Sequence, residues 1–199
     1  MRSTYSSTIT EIVQKLEGRY PLPPLAPEKE WDAELTHRIQ KASPDALFDG
    51  QPVKDATLAS AVQSGLLLWN DALNISHTIS QRIENTTGSY WHGIMHRREP
   101  DYSNAKYWFH RVGNHPIFPA LRKRALDLLQ EHASPSDRLA DYARKIDGKD
   151  NWDSFQFVDW CQAAAQDASP PQDVAEFLQT VQVEEIKLLL DYSYRHALA

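Results

Sequence analysis

Apolar residues in this chain recur at spacings of three and four between proline and glycine breaks, and strict two-residue alternation between turn signals is missing. That period belongs to helices rather than strands. The expected fold is all-α: an irregular bundle of about seven to nine helices forming one domain over residues 1–199. With 199 residues and 41 % apolar content, such a chain can bury a core without disulfides or a structural metal.

The breaks set the elements. A first helix is expected over Thr8 to Leu16, closed by Gly18 and Pro21, with Tyr20-Pro-Leu-Pro-Pro-Leu as an extended strap on the body. Pro27-Glu-Lys-Glu-Trp is expected to open a second helix, with Trp31, Leu35 and Ile39 inward and acids complementing the dipole. Gly88 and Pro100 bracket a short helix carrying Tyr90 to about Arg98, and another runs from about Ser103 to Val112. Further helices are expected over Pro119 to His132, from Pro135-Ser-Asp onward, over Asn151 to Gln166, and from Pro170-Pro171 to about Ala197.

The segment from about residue 55 to residue 84 reads as one long central helix. Between Thr57 and Ile83 its only charges are Asp71 and Arg82, whereas a surface helix carries charge along its outer face. At about 100° per residue, Leu68, Ala72, Ile75, Ile79 and Ile83 fall on one side. Asn70, Asn74, His77, Gln81 and Glu84 form a narrow stripe on the other. These polar groups either line a cavity or face solvent and neighbouring helix ends; a buried one without a partner costs roughly 1–3 kcal/mol.

Function concentrates in the stretch from Ser89 to Pro116, which holds four of the eight histidines: His92, His96, His110 and His115. Histidine and arginine are poor core fillers, so their enrichment here points to chemistry. His92 and His96, four apart, project from one helix face and can share a metal. Gly93 stands where a zincin metalloprotease carries glutamate, which argues against that enzyme class. His77 is the expected third ligand, with Glu84, Glu99 or Asp71 as an acidic partner, around a divalent metal such as zinc or iron. The competing assignment bonds these histidines to backbone carbonyls or to Tyr90, Glu99 and Asp101.

Arg97, Arg98 and Arg111 form an expected cationic rim for a carboxylate or phosphate. Alternatively Glu99 and Asp101 pair with them and pin the turn at Pro100. Asn104, Tyr107 and Arg111 share a helix face, expected to lie opposite Ala105, Trp108 and Val112. Tyr107, His77, Glu84 and His96 are the candidate acid–base groups; Asn70, Asn74 and Gln81, with the arginines, are candidate ligand contacts.

The run Gly88-Ser-Tyr-Trp-His-Gly-Ile-Met-His-Arg-Arg-Glu-Pro-Asp-Tyr-Ser-Asn-Ala-Lys-Tyr-Trp-Phe, preceded by Leu68-Trp-Asn-Asp and Ser76-His77, resembles a group of uncharacterised bacterial and fungal proteins. The resemblance covers the central third of the chain and implies no activity.

Several classes are disfavoured. Asp and Glu total 27 against 21 Lys and Arg, a net charge of −6 that opposes a nucleic-acid footprint. Phosphate-cradling glycine motifs and a Gly-x-Ser-x-Gly elbow are missing, and Cys161 sits among Trp160, Ala163 and Ala164 like a core thiol. A single cysteine and no membrane-length apolar run or signal-like start point to a cytoplasmic protein off the membrane. The expected function is a small helical enzyme acting on an anionic small molecule through a histidine-rich, metal-binding pocket. The alternative is a non-catalytic binder of a small ligand or a partner, with structural histidines.

Overall fold

The computed structural model describes residues 5–131 and 135–199. Within them the chain forms eleven helices and no strand. They are α1 (Ser7–Glu17), α2 (Ala33–Lys41), α3 (Pro44–Leu47), α4 (Ala56–Trp69), α5 (Leu73–Ser80), α6 (Thr86–Arg98), α7 (Tyr102–Val112), α8 (Phe118–Gln130), α9 (Asp137–Asp147), α10 (Ser154–Gln166) and α11 (Gln172–Leu198). The all-α expectation holds, and the buried apolar side chains join into one core. No helix among the described residues is long and apolar enough to cross a membrane. His132, where the eighth helix was expected to end, lies outside the described residues.

Polar side chains cap most of these helices and place their starts. Ser6, Asp32, Asp55, Asn85, Asp101, Ser136 and Asp153 each accept a hydrogen bond from a first-turn amide. Asp32 is why α2 begins at Ala33 rather than at Pro27: the acids of residues 28 and 30 precede the cap, and Trp31 is left partly exposed.

The expected helix over 55–84 is two helices. At its break Asp71 adopts φ 63°, the Asp71 amide donates to the Leu68 carbonyl, and the Ala72 amide reaches back to Leu67. This is a Schellman ending with aspartate in the left-handed position usually given to glycine. Both carboxylate oxygens of Asp71 are held, one by Arg98 and the other by Arg19 Nη2 at 2.6 Å. The ion pairs fix the one residue that turns the chain.

The central helix is α6. Every residue from Thr87 to Arg98 is buried, and α4, α5, α7 and α10 pack around it. Two glycines permit that closeness. A Cβ on Gly65 of α4 would lie 2.6 Å from the Trp91 ring, and one on Gly93 would press on Phe109 at 3.2 Å. The Trp91 indole donates to Ser193 of α11 at 3.2 Å.

Burying α6 also buries two guanidinium groups. Arg97 donates to Glu185 Oε2 at 2.6 Å and lies 4.5 Å over the Phe157 ring, while the Tyr90 hydroxyl donates to Glu185 Oε1 at 2.9 Å. Burial and then the Glu185 carboxylate push the Tyr90 hydroxyl well above its ordinary range, keeping it a donor. Arg98 binds Asp71, the Leu68 carbonyl and the Pro24 carbonyl, and Gln182 also donates to Pro24. The proline strap is thus tied to the core through one backbone oxygen.

A buried charge stripped of its partner is strongly destabilising, by about 3–5 kcal/mol, whereas replacing both partners by apolar groups is often nearly neutral. Glu185→Ala should therefore lower unfolding free energy by about that amount in urea titrations, and Arg97→Met/Glu185→Leu should recover most of it. A double variant no more stable than Glu185→Ala would contradict this account.

Candidate metal centre

Three helices build the site. Ser64 of α4 and Ser76 of α5 exchange side-chain to backbone hydrogen bonds at 3.0 and 2.9 Å, which locks α5 onto α4 and presents His77 toward α6. His92 and His96 lie one turn apart on α6, their rings stacked at 17° with centroids 4.7 Å apart. His77 closes the triangle, its ring centroid 4.7 Å from His92 and 5.1 Å from His96. One ligand nitrogen from each ring falls within 4.8 Å of the other two.

Helix α7 covers the histidines. Trp108 stacks on His92 at 4.0 Å and 22°, and the Asn104 amide nitrogen is 3.1 Å from His96 Nε2. On the other edge of His96, Nδ1 faces Glu99 Oε2 at 3.4 Å and Asp101 Oδ2 at 3.9 Å. His92 and His96 are buried and His77 is half-buried.

The electrostatics favour neutral rings at His92 and His96. Burial, then His96 and His77, pushes His92 down to about 3, and burial, then His77, lowers His96 against the pull of Glu99 and Asp101. Each neutral imidazole keeps one nitrogen with a free lone pair. Neither nitrogen of His92 has a hydrogen-bond partner among the described residues, although both are buried. An unmet buried polar atom is costly, by roughly 1–3 kcal/mol.

No family model, curated protein or solved structure matches this chain. Its chemistry is read from these residues alone. Tetrahedral bonds of about 2.0–2.1 Å to a zinc-like cation place donor nitrogens ~3.3–3.4 Å apart, so only a modest contraction of the triangle brings three imidazoles into ligand geometry. Half-buried His77 has the freedom to supply that movement.

Of the other residues singled out by sequence, few join the triad. The polar stripe dissolves at the Asp71 break, because α5 does not continue the register of α4. Asn70 is buried on the far side, donating to the Asp32 carbonyl at 2.7 Å and to Thr36 at 2.8 Å, while Asn74, Gln81 and Glu84 are exposed. Asp71 is taken by Arg19 and Arg98. Arg97 and Arg98 form no rim, since both face inward to Glu185 and Asp71; nor do Glu99 and Asp101 pair with them. Arg111 remains exposed, its guanidinium 5.2 Å from the Trp108 ring centroid. Tyr107 points outward at 55 % exposure, within 3.4 Å of Arg111.

The expected face of α7 also needs correction. At about 100° per residue Trp108 falls close to Asn104, and the core stripe is Ala105, Phe109 and Val112. The signal that finds Trp108 is the matching four-residue spacing: Asn104 and Trp108 on α7 meet His96 and His92 on α6.

Next to the triad an open cleft of about 420 Å³ is lined by Glu28, Glu30, Asn74, Ile75, Glu99 and Pro100, among others. Asn74 is three residues before His77 and Glu99 three after His96, so the cleft adjoins the triad along both helices.

His110 is exposed, but His115 is a third buried histidine, set apart from the triad against Tyr90, Phe118 and Tyr192. Burial, then His196, pushes it down to about 4. The unfolded chain takes up that proton near pH 6.5 and the folded chain resists until about 4, so its stabilising contribution is complete above 6.5 and is lost as pH falls toward 4. Melting temperatures of His115→Gln should therefore fall less steeply between pH 7 and pH 4 than those of the wild type; parallel slopes would refute this assignment.

Proposed function

We propose that this protein is a metal-dependent enzyme whose centre is a divalent cation, of the zinc or iron(II) kind, held by His77, His92 and His96. The observation that carries the proposal is the convergence of three imidazole donors within 4.8 Å from two helices. Structural histidines satisfy their ring nitrogens internally, as His115 does with the Ile117 amide at 3.4 Å, whereas buried His92 satisfies neither. A cation relieves that deficit directly. This contrast favours a ligand-binding role over the purely structural one.

Three neutral ligands leave a dication's charge available to a fourth group, which suits activation of water or polarisation of an anionic substrate. Arg111 supports an anionic small molecule as the substrate class. It is exposed beside Trp108, has no acidic partner among the described residues, and is the one member of the expected arginine rim not buried in an ion pair. Trp108 holds the His92 ring in place, and the carboxylates of Glu99 and Asp101 stand 3.4 and 3.9 Å from His96 Nδ1. We place the protein in the cytoplasm, where its single cysteine, free and buried, stays reduced.

Untagged protein equilibrated with zinc, iron(II) or manganese(II) and then desalted should retain about one metal ion per chain by elemental analysis, the stoichiometry of a single three-histidine site. His92→Ala/His96→Ala should retain essentially none while keeping its helical circular dichroism. Metal-free wild-type protein after all three supplementations would overturn the proposal.

A further inference from the structure

Four acidic groups, Asp71, Glu84, Glu99 and Asp101, stand near enough in sequence to accompany the histidines, and the fold separates them. Asp71 has both oxygens bound to arginines. Glu84 is exposed, and the donor atoms that lie within 4.8 Å of one another are those of the three histidines, without Glu84 or Glu99. Glu99 alone has an oxygen 3.4 Å from a ring nitrogen of the triad, at His96 Nδ1.

We propose that Glu99 is the carboxylate donor of the centre held by His77, His92 and His96, making its protein ligands three nitrogens and one oxygen and leaving water or substrate to enter as a fifth ligand; this rests on the metal-binding function proposed above. The 3.4 Å separation of Glu99 Oε2 from His96 Nδ1, a direct ion-pair contact without metal, is also short enough for both atoms to reach one cation through bonds of about 2.0–2.2 Å. The Asn104 amide nitrogen lies 3.1 Å from Nε2 and 3.4 Å from Nδ1 of His96, and Nδ1 is the nitrogen that also faces the carboxylate.

Glu99 also has the freedom that ligation requires. Its side chain is 42 % exposed and forms part of the cleft wall, and no lysine or arginine pairs with it among the described residues. Asp101, the nearest competitor, is fixed instead: Oδ1 accepts from the Asn104 amide at 3.3 Å and the Ser103 hydroxyl at 3.2 Å as the N-cap of α7, and Oδ2 stands off at 3.9 Å. Removing that cap would unsettle α7, so its geometry serves the helix first.

A carboxylate in the first sphere lowers the centre's net charge by one and adds a hard oxygen to three imidazoles, a set suited to zinc, iron(II) or manganese(II) rather than copper(I). It also places the metal at the inner end of the cleft, with Glu99 between the cation and solvent.

Cobalt(II) titration of the full metal-free chain tests this, with affinity read by competition against a chelator and geometry read from the visible absorption bands. Glu99→Gln should bind cobalt about 10–100-fold more weakly with shifted bands. Asp101→Asn should leave the bands in place, and metal-free Glu99→Gln should melt like the wild type, which separates ligation from folding. Wild-type affinity and unchanged bands in Glu99→Gln would overturn the Glu99 assignment and leave the three-histidine centre standing. Failure of the wild type to bind cobalt would overturn both.

Discussion

Two guanidinium groups sit side by side at the end of a helix that is buried from Thr87 onward, and the elements around α6 supply their partners. Arg97 and Arg98 are among the largest fully buried side chains and carry charge, and neither tolerates burial without a fixed carboxylate. Glu185 on α11 answers the first and Asp71, at the α4–α5 junction, the second. These pairs do more than neutralise. The first ties α6 to the last helix, and the second ties it to the break in the polar segment and to the proline strap through Pro24. Rotating α6 by one residue would separate both pairs at once, so the arginines set its register.

That register decides the site. With Arg97 and Arg98 directed at fixed partners, the face carrying His92 and His96 has only one direction left, between α5 and α7. Ser64 and Ser76 hold His77 against it from one side, and Trp108 and Asn104 close it from the other. The histidines are buried because the helix is buried, and burial is what keeps them neutral. Charge pairing in the core and lone pairs at the site are therefore two consequences of one placement.

The sequence made the helices legible because apolar spacing and local stops, such as Gly18 and Pro100, act within one segment, whereas the capping side chains at Asp32, Asn85 and Asp101 set starts that the spacing alone misplaced. The spacing of His92 and His96 was legible for the same reason. The break at Asp71 was not, because aspartate replaces the glycine that normally marks such an ending and is held there by residues 52 positions earlier and 27 later, Arg19 and Arg98. Once that break is missed, angles counted from Asn70 to Glu84 assemble a stripe that does not exist. The arginines misled in the same manner: an Arg-Arg pair beside Glu99 and Asp101 reads as surface chemistry, and nothing local reveals that Glu185, 88 residues on, awaits Arg97 in the core. Periodicity sees one helix at a time, whereas these contacts belong to pairs of helices.

What separates the histidine cluster from ordinary core packing is the accounting of lone pairs rather than the closeness of the rings. Aromatic stacking alone would explain His92 lying between His96 and Trp108, and it adds only about 0.5–1.5 kcal/mol beyond burial. Two unpartnered nitrogens on the same ring offset a gain of that size. Proton uptake, the usual remedy for a strained imidazole, is closed to His92 because burial and two neighbouring rings disfavour the charge. A cation shared with His77 and His96 resolves the same deficit without placing a proton there, since one ion distributes its charge over three donors that are already turned toward one another.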